Sequence, residues 1–163
     1  MPQNRIQNYF LITSDRELKD MLLSLWPETV QWNVFEQGKS AIERIFNNPP
    51  DMLIVDLTLP DLDGIELVKL VKGENVYKQI PVVVCLQENV PDEIYDFSRI
   101  EIDDFFLRPI SVEEAKARLN LTWHRSTRAL DANPLTKLPG NTTIIHYIQE
   151  LIDKKSNFAL AYL

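Results

Sequence analysis

Short apolar runs alternate along this chain with longer stretches in which apolar residues recur every three or four positions, the pattern of strands alternating with amphipathic helices. Tyr9-Phe10-Leu11-Ile12 is the first run. Ser14-Asp15-Arg16-Glu17 has the spacing of a capping box, so a helix is expected to start with Ser14 as its N-cap and Glu17 folding back. Leu18, Met21, Leu22 and Leu25 form its apolar stripe, and Trp26-Pro27 closes it. Val30, Trp32 and Val34 alternate as in a strand. Ala41, Ile42, Ile45 and Phe46 make a second helical stripe, which Asn47-Asn48-Pro49-Pro50 breaks. Met52 to Val55 is continuously apolar, as in a parallel strand buried on both faces.

Asp56 follows, and the loop Leu57-Thr58-Leu59-Pro60-Asp61-Leu62-Asp63-Gly64 leads to a helix carrying Ile65, Val68 and Val71. A fourth strand is expected over Pro81 to Leu86, a helix opening at Pro91-Asp92-Glu93, and a fifth strand at Phe105-Phe106-Leu107. Ser111-Val112-Glu113-Glu114 is another capping box. The sum is a (βα)5 chain, which implies a parallel sheet covered by helices on both sides. Ligands of such sheets sit beyond the carboxyl ends of the strands. Thr13, Ser14, Asp56, Leu86 and Arg108 all fall at those ends and are expected to converge on one shallow site.

Composition narrows the classes. With 163 residues, 45% of them hydrophobic and 25% charged, the chain can bury a real core. A net charge of -7 repels phosphate backbones, so protein partners are expected and nucleic acid is not. The start MPQNRIQNYF lacks a signal-peptide pattern, and the run Ile80 to Leu86 is too short to cross a bilayer, so a cytoplasmic location without membrane contact is expected. Cys85, the single cysteine, reads as a small buried hydrophobe.

Residues 51–67, DMLIVDLTLPDLDGIEL, resemble the phosphoacceptor segment of two-component response-regulator receiver domains, and Asp103-Asp104-Phe105-Phe106-Leu107-Arg108-Pro109 resembles their fifth-strand motif. The resemblance runs from residue 6 to about 124. It implies a flavodoxin-like doubly wound sheet of strand order 2-1-3-4-5, with Asp56 as phosphoacceptor and a histidine kinase as partner. It further implies an acidic pair after the first strand that holds Mg²⁺ together with Asp56, a Thr or Ser ending strand four, a Lys ending strand five, an aromatic switch residue and a cis-proline. Phosphoryl transfer to a carboxylate brings two anions together, which is why such cations and donors are needed.

Here the acidic pair is replaced by Thr13 and Ser14, the Thr/Ser position by Leu86 and the Lys position by Arg108, while Phe105 takes the switch position without a hydroxyl and Pro109 matches the proline. Mg²⁺ prefers carboxylates in a near-octahedral site, so its binding is expected to be weak, with Asp15 the nearest carboxylate that could assist Asp56. Arg is planar and bulkier than Lys, and Arg108 is expected to pair with Asp56.

From Ser111 no proline or glycine occurs before Pro134, so the fifth helix is expected to extend to about Leu130, roughly 30 Å. His124, Arg125 and Arg128 read as a solvated face. Asn133-Pro134-Leu135-Thr136-Lys137-Leu138-Pro139-Gly140-Asn141 is similar to the opening signature of GGDEF-type diguanylate cyclase domains, followed by a helix through Ile144, Ile145, Ile148, Leu151 and Ile152 and an apolar strand from Phe158 to Leu163. The expected division is a receiver over 1–124, a helical linker over 125–140 and the first part of a GGDEF-like domain over 141–163. The metal-binding acidic residues and the GGDEF loop of that family lie beyond these segments, so this chain is not expected to be an enzyme.

The expected function is a receiver module, degenerate at its phosphoryl site, that acts by protein contact or homodimerisation to control a cyclase-like output domain. One alternative is a conventional Mg²⁺-dependent receiver phosphorylated on Asp56. Another is a flavodoxin-like cofactor binder using the Thr13-Ser14 loop, which lacks the glycine that close approach to a phosphate favours.

Overall fold

The computed structural model describes residues 6–88, 97, 100–131, 140–154 and 159. The expected helix at Pro91-Asp92-Glu93, the segment 132–139 and the expected strand at Phe158 to Leu163 lie outside the described residues.

The elements follow the sequence pattern: β1 (Gln7–Ile12), α1 (Arg16–Leu23), β2 (Val30–Phe35), α2 (Gly38–Asn47), β3 (Met52–Asp56), α3 (Gly64–Gly73), β4 (Val82–Gln87), β5 (Asp104–Arg108), α4 (Val112–Asp131) and α5 (Asn141–Asp153). All strands pair in parallel in one sheet of order β2-β1-β3-β4-β5, the flavodoxin-like arrangement. Alternation along each strand divides the core. Tyr9, Leu11, Met52, Ile54, Val83 and Cys85 face a cluster completed by Leu18 and Leu22 of α1 and Ala115 and Leu119 of α4. Phe10, Ile12, Leu53, Val55, Val82 and Val84 face the other, with Ala41 and Ile45 of α2 and Leu67, Val68 and Val71 of α3. Burying one such branched apolar side chain contributes about 1.5–3 kcal/mol, so both faces hold the helices strongly.

Two details refine the sequence expectations. Phe46 stays 40% exposed and stacks on Tyr77, leaving Ala41 and Ile45 as the buried stripe of α2. The turn closing α1 places Trp26 at φ 50, a left-handed conformation that costs a bulky residue about 1–2 kcal/mol.

By contacts the chain falls into two units, Met1–Trp123 and His124–Leu163. In the second, His124, Arg125 and Arg128 are exposed, and α5 exposes Ile144, Ile145, Tyr147 and Ile152. Among the described residues no helix is long and apolar enough to cross a membrane.

Candidate functional site

Thr13 follows β1, Asp56 ends β3 and Arg108 ends β5. The parallel register brings these ends to one edge, with Asp56 opposite Cys85 and Gln87 opposite Arg108. Asp56 is 2% exposed, and a buried carboxylate needs partners. Its Oδ2 accepts from Thr13 Oγ1 at 2.9 Å and from Arg108 Nη2 at 3.0 Å, and its Oδ1 accepts from the Thr58 N–H at 3.1 Å. The other terminal nitrogen of Arg108 donates to Asp15 Oδ2. Thr13 Oγ1 also accepts from the Asp15 N–H at 3.0 Å, which links all four residues.

One guanidinium therefore bridges two carboxylates. The Asp56 side chain is 3% exposed and that of Arg108 13%, whereas Asp15 is 37% exposed, so one arm of the bridge is dry and the other wet. The Asp15 carboxyl is held below the usual carboxylate range, chiefly by the Leu18 N–H and further by Arg108, against some desolvation. Burial, reinforced by the neighbouring Asp56 charge, pushes the Cys85 thiol well above its ordinary value, which keeps it inert.

The expectation that Ser14 caps α1 is corrected. Asp15 is the N-cap, its Oδ1 accepting from the Leu18 N–H at 3.0 Å, and Ser14 is exposed. The carboxylate has two oxygens, so it can cap the helix with one and meet Arg108 with the other; a serine hydroxyl one residue earlier cannot do both. Of the residues expected to converge, Thr13, Asp56 and Arg108 do so and Asp15 joins them. Leu86 is fully buried. Phe105 is partly buried, its ring 5.2 Å from that of Phe97. The Arg108–Pro109 peptide bond is cis, as the resemblance implied. Ser111 Oγ accepts from the Glu114 N–H at 3.1 Å, the expected capping contact of α4.

The loop after Asp56 is tightly tied. Thr58 bridges Asp63, Asp63 caps α3 through the Ile65 N–H at 2.7 Å, and the Gly64 N–H donates to Leu57 O at 3.1 Å. A Cβ on Gly64 would stand 2.6 Å from both Asp56 O and Leu57 Cα, so only glycine fits without a backbone shift. The sequence reading missed Asp61, whose carboxylate accepts from the Gly38 and Lys39 N–H groups at 2.8 and 3.0 Å and so caps α2 from outside. The available signal was a helix start at Gln37-Gly38 without Ser, Thr, Asp or Asn. Beside Arg108 a cavity of about 440 Å³ is lined by Asp15, Leu18, Met21, Glu88, Pro109 and Ile110, among others.

Mg²⁺ asks for several oxygen ligands in near-octahedral geometry. Among the described residues no group of three or more His, Cys, Asp or Glu side chains could hold a metal ion. The two carboxylates of this site already share a cation, Arg108, so a Mg²⁺ ion could use them only by displacing that guanidinium.

A family model described as the response regulator receiver domain matches residues 13–120, well over half of the chain. Among curated proteins, the two-component response regulator ORR7 of Oryza sativa subsp. indica is 37% identical over 76 residues, covering 46% of this chain and 37% of that protein. The chain thus spans well under half of that relative's length. Among solved structures, a response regulator from Chloroflexus aurantiacus aligns with a TM-score of 0.68 at 23% identity, covering 74% of this chain and all of that one. The receiver domain of the sensor histidine kinase PA1611 from Pseudomonas aeruginosa PAO1, solved with a magnesium ion coordinated in its active-site cleft, aligns at 0.63 and 16% identity over 72% of this chain and 98% of its own. These likenesses carry the fold, and the family match selects the receiver reading over a cofactor binder. The parallel sheet, the carboxylate ending β3 and the matched residues together establish that this chain belongs to the response regulator receiver domain family, the signalling modules of two-component systems.

Proposed function

We propose that this chain is a degenerate receiver in which Arg108 acts as a built-in cation for Asp56 and the output is a protein contact, not a phosphorylation switch. The observation that carries this reading is the Arg108 bridge, which pairs Asp56 and Asp15 with one guanidinium before any phosphodonor arrives. Thr13 and Ser14 in place of an acidic pair, and Leu86 in place of a hydroxyl donor, support it. Transfer to Asp56 would need a divalent cation and donors aimed at the phosphoryl oxygens. Mg²⁺ binding is accordingly weak.

In this reading residues 1–124 are the receiver, 125–140 a helical linker and 141–163 the opening of a GGDEF-like domain. The receiver controls that output through homodimerisation or a regulatory partner. The test is intact mass after incubation with a small phosphodonor and Mg²⁺. No stoichiometric adduct is expected; an adduct that disappears in Asp56→Asn overturns the proposal. Sedimentation with Mg²⁺ and beryllofluoride is likewise expected to leave the association state unchanged.

A conventional phosphoacceptor is the second reading. It is favoured by the position of Asp56 at the end of β3 and by the Asp15 carboxylate on the same guanidinium, which would give a metal two anionic ligands once Arg108 swung away.

A further inference from the structure

The stripe that docks α4 on the sheet is Ala115, Leu119 and Thr122, at the i, i+4, i+7 spacing of one helix face, with exposures of 0%, 0% and 2%. The third member is polar. Thr122 Oγ1 is buried, and no protein group among the described residues exchanges a hydrogen bond with it. Threonine in a helix commonly gives its hydroxyl to a carbonyl three or four residues back, as Thr127 does to His124 O at 3.2 Å. Thr122 does not.

The adjacent residue pulls the other way. Trp123 is half-buried against the same core cluster, its ring 6.1 Å from that of Tyr9 and tilted by 52°, and Tyr9 in turn meets Trp32 edge-on at 5.5 Å. A large aromatic attraction and a buried hydroxyl with no protein partner among the described residues thus share one turn. Segments whose burial is poorly compensated open locally, at a free energy below that of global unfolding.

We propose that the turn at Thr122–Trp123 is a releasable latch. In the open state Trp123 leaves Tyr9 and the Thr122 hydroxyl reaches water, while Ala115 and Leu119 stay docked. The receiver can thereby hold or release the helix it sends beyond Trp123. The latch is independent of whether Asp56 accepts phosphate.

Amide hydrogen exchange of the whole chain tests it. Amides of residues 120–125 are expected to be less protected than those of 115–118 and of β1 and β3. Thr122→Val, which keeps the shape and removes the hydroxyl, is expected to slow their exchange roughly tenfold. Trp123→Leu is expected to accelerate it. The proposal is overturned if the wild-type amides at 120–125 are as protected as the strands, because no local opening then exists. It is equally overturned if Thr122→Val leaves their protection unchanged or lowers it, because the hydroxyl is then bonded, to a buried water for instance.

Discussion

Arg108 Nη2 stands 3.0 Å from Asp56 Oδ2, so the buried carboxylate that ends β3 has a cation already beside it. Removing one partner of a desolvated pair strands the other charge, which costs more than the pair contributes. Arg108→Met is expected to lower stability to urea by about 3–5 kcal/mol, while Arg108→Met with Asp56→Asn recovers most of that loss. Equal losses in the single and double variants would show that the pair is not the cause.

Asp15 supplies an acid-sensitive contribution. Its folded carboxyl lies below the ordinary value of about 3.9, so on acidification the unfolded chain takes up this proton first. The contribution is therefore complete above about pH 4 and is lost as pH falls through the lower, folded value. Asp15→Asn should flatten the acid limb of urea midpoints measured from neutral pH to about pH 3, and an unchanged limb would remove Asp15 from the account.

Gly64 and Gly73 make a matched pair. An added Cβ at Gly64 meets the backbone of Asp56 and Leu57, whereas at Gly73 it meets nothing within 4 Å. Gly64→Ala is expected to destabilise by roughly 1–3 kcal/mol through forced backbone movement. Gly73→Ala, at the end of α3, should stabilise by up to about 1 kcal/mol. Thermal unfolding of the two variants against the parent is sufficient to check both signs.

Lys72 is a buried cation that the sequence reading did not single out. It is 8% exposed and donates to Ile80 O at 2.6 Å, Lys78 O at 3.1 Å and Asp103 Oδ2 at 3.1 Å, and the same Asp103 oxygen accepts from the Val82 N–H at 2.7 Å. These bonds join the end of α3 to the starts of β4 and β5. Lys72→Met leaves the Ile80 carbonyl unpaired and should cost about 2 kcal/mol, a figure that discounts the partly solvated Asp103. Arg108 sits at the far end of β5, so the losses from Lys72→Met and Arg108→Met should add within about 0.5 kcal/mol in urea titrations.

What the sequence made legible divides along physical lines. Periodicity located the strands and helices because burial on both faces leaves continuous runs such as Met52 to Val55, and the pairing of Arg108 with Asp56 followed from charge at two strand ends. Caps were harder, because Ser14 and Asp15 are both competent N-caps and only the third partner, Arg108, separated by 93 positions from Asp15, decides between them. Asp61 and Lys72 were missed for the same reason. Their partners are backbone groups of other segments, Gly38 and Lys39 for one and Ile80 and Lys78 for the other, and local spacing carries no trace of them.

The borrowed cap on α2 has a consequence for how the site communicates. Gln37 gives α2 no side-chain cap, so the first turn of that helix depends on a carboxylate from the loop that begins at Asp56. A shift of that loop that carried Asp61 away would leave the Gly38 and Lys39 N–H groups without this partner, on a helix at the opposite face of the sheet from α1. The amides of Gly38 and Lys39 are thus a built-in remote gauge of the site, readable without touching it.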